Sequence, residues 1–164
     1  MTTAVRLRPA EASDVAFCFA AERDPDARPF IGTSSEAEHH AQLDGPRDYL
    51  MIDADGERAG FALFTAIDKM RSIELSRLVI AGRGRGIGGV ALPLLIDRVF
   101  ETTDAHRFWL DVLPRNERAH RAYLRAGFVD EGILRDAWIG PDGDFEDLQI
   151  MSILRPEWES RRAR

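Results

Sequence analysis

Apolar residues recur along the chain in two rhythms, and the switches between them mark out its elements. Val5-Arg6-Leu7-Arg8 alternates like a short strand, and Val15, Cys18 and Phe19 share one stripe of a helix that Ser13 or Asp14 can cap. Asp24-Pro25-Asp26-Ala27-Arg28-Pro29 breaks that helix, and Ser35-x-x-Glu38 is a capping box for a second short helix ending near Gly45-Pro46. Three strand-like runs follow, Asp48–Asp53, Ala59–Ile67 and Ile73–Ile80. The turn Asp53-Ala54-Asp55-Gly56 between the first two predicts an antiparallel meander. A helix from about Gly86 to Phe100, a strand at Phe108–Val112, a helix from about Asn116 to Ala126 and two strands joined at Pro141-Asp142-Gly143 complete the pattern. Gly127 is placed for a left-handed C-cap with Phe128 packing back, whereas Pro93 inside the third helix predicts a kink. The order β-α-α-β-β-β-α-β-α-β-β specifies a single domain of the α/β (α+β) class.

Composition narrows the setting. At 164 residues the chain suits one domain, expected over residues 1–160 with 161–164 as a frayed tail. An apolar fraction of 45% and a charged fraction of 30% are ordinary for a soluble globular protein. No apolar run approaches the roughly 18 residues of a membrane span, Met1-Thr2-Thr3 opens no signal peptide, and the single Cys18 excludes an internal disulfide. A cytoplasmic protein with no membrane partner is expected. The net charge of −6 argues against broad nucleic-acid binding and favours, weakly, cationic or amine-bearing partners. No Cys/His/Asp spacing resembles a metal site, so no metal is expected.

The candidate chemistry lies between Leu78 and Gly89, where the apolar strand Leu78-Val79-Ile80 runs through Ala81-Gly82 into Arg83-Gly84-Arg85-Gly86-Ile87-Gly88-Gly89. A strand, a glycine turn and a helix start form an anion site: first-turn amides lack partners within the helix, and the helix dipole adds partial positive charge. Glycines let a phosphate come close, and two arginines add formal charge. Two frames compete. Gly84-x-Gly86-x-x-Gly89, with Asp111 downstream, satisfies a dinucleotide fingerprint and would suit an oxidoreductase, but after Asp111 the chain has only one short helix and a hairpin. Arg83-x-x-Gly86-x-Gly88 is the other frame, accompanied downstream by Asn116-x-x-Ala119-x-x-x-Tyr123-x-x-x-Gly127-Phe128.

In this second frame, from about Ile73 to Phe128, the chain resembles the GNAT N-acetyltransferase superfamily. Its closing run, Asp142-Gly143…Asp147…Met151-Ser152-Ile153-Leu154…Glu157-Trp158, is similar to the branch containing ribosomal-protein N-terminal acetyltransferases. The resemblance implies a GNAT-like mixed central sheet whose middle strands splay to form a cleft for acetyl-CoA (CoA). It implies that residues 83–89 hold pyrophosphate, that backbone groups of Leu78, Val79 and Ile80 hold the pantetheine arm, and that Asn116, Ala119 and Tyr123 face the cofactor. The Ala81-Gly82 connection is shorter than usual in the family, which leaves the strand register open.

Tyr123 is the candidate general acid, since a phenol stays protonated at neutral pH and can donate to a departing thiolate; packing between helix and sheet is its alternative role. Asn116 either contacts cofactor or simply caps its helix. Glu74, on the strand before the loop, is the candidate base; an ordered water is the alternative, with Glu74 then an ordinary acid beside Arg77. The implied function is acetyl-CoA-dependent transfer to a primary amine, on a protein N-terminus or a small molecule, by direct attack in a ternary complex. A non-catalytic acyl-CoA-binding or sensing module is the alternative, and the resemblance allows a homodimer. The acids Asp136, Asp142, Asp144, Glu146 and Asp147 of the last hairpin either attract a cationic acceptor or form a solvated turn.

Overall fold

A computed structural model of the chain describes residues 3–45, 48–67, 70–82 and 84–163. Seven strands form one sheet in the order β1-β2-β3-β4-β5-β7-β6: β1 (Val5–Pro9), β2 (Tyr49–Ala54), β3 (Glu57–Ile67), β4 (Ser72–Ile80), β5 (Arg107–Val112), β6 (Val129–Ile139) and β7 (Phe145–Leu154). The helices are α1 (Val15–Glu22), α2 (Glu36–Leu43), α3 (Ile87–Thr102), α4 (Glu117–Ala126) and α5 (Arg155–Arg162). All neighbours pair antiparallel except β4 and β5. The fold is thus the mixed α/β sheet expected.

Strands β2 and β3 read as nearly continuous apolar runs because both of their faces are covered. Leu50, Ile52, Ala62 and Phe64 face the main core with α3, while Tyr49, Met51, Phe61 and Leu63 face a smaller core beneath α1 and α2. The β2–β3 turn is the two-residue hairpin expected, with Asp55 and Gly56 both at positive φ (53° and 85°), which matches the twist of the strands it joins. The Ser35 capping box also forms: Ser35 Oγ accepts from Glu38 N–H at 3.2 Å and Glu38 Oε2 accepts from Ser35 N–H at 2.7 Å.

Several expectations are corrected. Asp14 makes no side-chain cap on α1; its buried carboxylate instead accepts from Arg8 (2.7 and 2.9 Å) and Arg58 (2.6 Å). Helix α3 continues through Pro93, which lies on its exposed side and, lacking an N–H, cannot bond the Gly89 carbonyl. Helix α5 was not foreseen, and it carries order past residue 160. Arg161 donates to the Ala126 and Gly127 carbonyls, both at 3.0 Å, and Arg162 pairs with Glu101. Trp158 stacks on Phe100 at 5.3 Å and donates to Asp97 at 2.7 Å.

The site is created by two irregularities of β4. First, β4 and β5 pair only from Ser72↔Arg107 to Glu74↔Trp109, then diverge. Second, the register against β3 jumps from Phe64↔Leu75 to Leu63↔Arg77, so Ser76 is an extra residue, its hydroxyl donating to the Leu63 carbonyl at 3.1 Å. Such a bulge reverses the facing of everything after it. Leu75 and Leu78, three apart, therefore both join the main core, while Arg77 and Val79 turn toward α1 and α2.

Candidate active site

Where β4 leaves β5, a cleft of about 480 Å³ opens. One wall is Leu78, Val79, Ile80, Ala81 and Gly82; the facing wall is Asn116, Ala119 and Tyr123 of α4, with Gly88 and Leu92 of α3 between them. Leu78, Val79 and Ile80 pair with Ala62, Phe61 and Gly60 on the β3 side, which leaves their other edge toward the cleft. An extended ligand arm can use such an edge as a partner strand.

The loop between β4 and α3 keeps its short connection by alternating left-handed glycines, with φ of +72° at Gly82, +84° at Gly84 and +71° at Gly86. A Cβ built on Gly84, Gly86 or Gly89 would meet nothing within 4 Å, so this backbone faces open space, as a phosphate cradle requires. Gly86 is the N-cap of α3, and the amides of Ile87 and Gly88 stand at its dipole-positive end. Ile87 buries its side chain in the main core, so it offers only its backbone. Gly89 is a poorer anion donor than expected, because its N–H is spent on the Gly86 carbonyl at 3.0 Å. Arg85 lies 3.5 Å from Asp55 across an exposed ion pair, weak enough to exchange for a phosphate. Arg83 lies outside the described residues.

Asn116 performs the capping role, its Oδ1 accepting from Ala119 N–H at 3.3 Å, and it lines the cleft as well. At the other end of α4, Gly127 adopts φ +110° and its N–H bonds the Tyr123 and Leu124 carbonyls, both at 3.0 Å. Phe128 then packs edge-on against Tyr123 at 5.9 Å, which fixes the ring that faces the cleft. Burial, with the Asp111 carboxylate adding to it, pushes the Tyr123 phenol up to about 12. Tyr123 is therefore a neutral donor throughout the physiological range.

Glu74 is half-buried within the last β4–β5 pair and is not among the residues lining the cleft. Asp111, on β5 beyond the splay and opposite in facing to the core residues Leu110 and Val112, does not line the cleft either; its charge reaches the Tyr123 phenol, and desolvation raises its own pKa. The far end of the cleft is formed by Ala21 of α1, by Asp24, Asp26, Ala27, Phe30 and Ile31 from the segment after it, and by Arg115. Arg115 donates to Glu146 at 2.6 and 2.8 Å and to the Pro29 carbonyl at 2.6 Å, bracing that segment against the last hairpin. Glu146 and Asp147, the latter accepting from Asp136 N–H at 2.9 Å, are thus engaged within the fold. In the sequence, the run from Asp24 to Pro29 carries only the signal of a helix breaker, its two prolines, and nothing that marks this role.

A family model described as an acetyltransferase (GNAT) domain matches residues 4–129, a span that includes both walls of this cleft. The chain belongs to the GNAT acetyltransferase family. Streptothricin acetyltransferase of Streptomyces lavendulae is 32% identical over 67% of this chain and 59% of its own length. A ribosomal N-acetyltransferase-like protein of Bacillus subtilis (strain 168), YdaF, is 29% identical over 75% of this chain and 67% of its own. The chain spans about half the length of some curated relatives it matches, 43% and 59% in two cases. In fold, a spermidine N-acetyltransferase from Vibrio cholerae, solved with CoA and spermine, superposes with a TM-score of 0.83 at 22% identity, over 94% of this chain and 98% of that one. GNAT proteins use acetyl-CoA, and the glycine cradle, the open β4 edge and the α4 face fit that donor. The dinucleotide frame is overturned, since the sheet has a single parallel pair instead of successive parallel βα units. Among the described residues no helix is long and apolar enough to cross a membrane.

Proposed function

We propose that this chain is an acetyl-CoA-dependent N-acetyltransferase that acts on a primary amine by direct attack in a ternary complex. The reading is carried by one cleft that joins a phosphate cradle at Gly82–Gly88 to an acid-bearing end at Asp24 and Asp26, with Tyr123 on the wall between. Bound acetyl-CoA supplies the thioester. The amine nitrogen bonds to the acetyl carbon as the carbon–sulfur bond breaks, so the amine must shed one proton and the sulfur gain one. Tyr123 is assigned to the sulfur, donating a hydrogen bond as charge builds on it while solvent supplies the proton. The amine's proton is assigned to a carboxylate, directly or through water, with Glu74 on the paired part of β4 and Asp111 past the splay, whose charge reaches Tyr123, as the two candidate bases. An unpaired N–H on the open edge at Leu78–Ile80 is suited to polarise the acetyl carbonyl.

Two carboxylates beside an apolar strip of Ala27, Phe30 and Ile31 suit an amine on an aliphatic cationic chain better than a neutral peptide start. Spermidine is thus the first acceptor to test, followed by small-molecule amines and peptides with free N-termini. Release of free thiol from acetyl-CoA with spermidine and with this wider panel is the deciding assay. Saturable release supports the reading; tight acetyl-CoA binding without release on any amine would leave the acyl-CoA-binding module instead. A homodimer is proposed through the outer strand β6, where Ile133, Leu134 and Ile139 are about half exposed beside Phe145. A monomeric mass in light scattering would refute it.

A further inference from the structure

A buried polar cluster behind the acceptor end of the cleft has no part in the chemistry above. Glu22, the last residue of α1, is 0% exposed, a costly place for a carboxylate unless its charge and lone pairs are matched. Its Oε1 accepts from Arg77 Nη1 at 2.5 Å; its Oε2 accepts from Ser34 N–H at 2.8 Å and lies 3.2 Å from His39 Nε2. Arg77 Nη1 also donates to Ser34 Oγ at 2.9 Å, and Arg23 donates to the Ser34 carbonyl at 3.0 Å. His39, itself fully buried, is held from its other side by the Tyr49 hydroxyl at 2.8 Å. The N–H, carbonyl and hydroxyl of Ser34 are therefore all bound by the end of α1 and by β4.

The position of this cluster gives it a consequence. The chain leaves α1 at Glu22 and is tied back at Ser34, so these bonds close the base of the loop that presents Asp24, Asp26, Phe30 and Ile31 to the cleft. Arg77 fastens that base to β4 one residue before Leu78, where the opposite wall begins. The glycine cradle and α4 share none of these bonds. We infer that the Glu22–Ser34–Arg77 cluster is a clamp fixing the acceptor-facing loop against the strand that borders the acyl group, with Glu22 and Arg77 as positioning residues for the acceptor amine. The inference rests on the acetyl-transfer reading for its effect on turnover, but its effect on loop order stands apart from it.

The test compares Glu22→Gln, Arg77→Lys and Ser34→Ala with the parent protein. Three readouts are needed: hydrogen exchange by mass spectrometry, acetyl-CoA affinity by calorimetry, and KM and kcat for spermidine. In Glu22→Gln, exchange of residues 24–31 should rise about tenfold or more while α3 and β5 keep their protection. Its KM for spermidine should rise at least about tenfold while acetyl-CoA affinity stays within about twofold. Arg77→Lys, which keeps the charge and can serve one partner at a time, should fall between Glu22→Gln and the parent. Unchanged loop exchange in a folded variant would overturn the clamp. So would a uniform rise across the chain, or an acetyl-CoA affinity that falls in step with the rise in KM. Should Glu22→Gln fail to fold, Ser34→Ala, which removes one hydroxyl, decides by the same criteria with a rise of about threefold. If the parent turns over no amine, the proposed function fails while exchange still decides the clamp.

Discussion

Replacing Tyr123 with Phe deletes one oxygen from the cleft and keeps the ring that packs on Phe128 at 5.9 Å. The phenol is pushed up to about 12, chiefly by desolvation. A free alkyl thiol titrates near about 8.5, so complete proton transfer from Tyr123 to a departing thiolate is uphill by about 3.5 pKa units, or about 5 kcal/mol. Tyr123 should accordingly act as a hydrogen-bond donor to the sulfur while charge builds on it, with solvent completing the protonation. A hydrogen bond to a charged group contributes about 1.5–3 kcal/mol, which predicts that Tyr123→Phe lowers kcat by about 10- to 150-fold. Acetyl-CoA affinity should barely change, because the phosphate cradle at Gly82–Gly88 belongs to a different segment. Single-turnover thiol release between pH 6 and pH 10 is the assay. Since the neutral phenol predominates across that range, parent and variant should share one profile shape, offset by a constant factor. A loss below about threefold would remove Tyr123 from the chemistry. A basic limb present in the parent and absent from the variant would show that the phenol ionises within the range and transfers its proton outright.

Three further outcomes test other parts of the structure. Gly86→Asp places a side chain and a negative charge at φ +71° on the N-cap facing the cradle, and should weaken acetyl-CoA binding at least about 100-fold by calorimetry; retained affinity would refute the loop's role. Arg8 above all, with Arg58, holds the Asp14 carboxyl well below its ordinary value of 3.8, so its contribution to stability is complete above that pH and drains away as pH falls further. Asp14→Asn should cost about 3–5 kcal/mol in urea unfolding at pH 7, and much less at pH 2, where the parent has begun to lose the same contribution. Deleting residues 161–164 removes the Arg161 bonds to the end of α4 and the Arg162–Glu101 pair, and should lower Tm by about 2–6 °C; an unchanged Tm would restore the picture of a frayed tail.

Local chemistry explains which elements could be read from the chain. Strands β2 and β3 announce themselves by unbroken apolar runs, and the Asp55-Gly56 turn and the Ser35 box by residues within four positions of each other. The α5 helix has no legible signal of this kind, because Arg155–Arg162 offers one large apolar side chain, Trp158, and so no apolar periodicity. Arg155, donating to the carbonyls of Phe100, Thr103 and Ala105, and the Trp158–Phe100 stack hold it in place. Its one local signal was Pro156 in the first turn with Glu157 three residues after Leu154, the carboxylate accepting from Leu154 N–H at 2.8 Å. The Ser76 bulge carries no signal either, since a period-two reading passes straight through it, yet it decides that Leu78 joins Leu75 in the main core and that Arg77 turns toward α1.

The same division runs through the site. Its donor end is made of backbone: left-handed glycines, the start of α3, the open edge of β4, and α4 capped at both ends by Asn116 and Gly127. Such features are set by residues adjacent in sequence, so a motif can spell them out. On the proposed reading the acceptor end is assembled from Asp24, Asp26, Phe30 and Arg115, braced by Glu146 and Arg77, each ordinary in its own neighbourhood. Glu22 beside Arg23 reads as a solvated helix terminus, and His39 as one of two histidines on a polar helix; only packing of α1 and α2 against β4 buries them into one cluster. On that reading, selectivity for the amine rests on tertiary contacts that a relative can exchange without altering the cofactor motif. That separation explains how one family can keep a single donor while its members' names range from a streptothricin to a spermidine acetyltransferase.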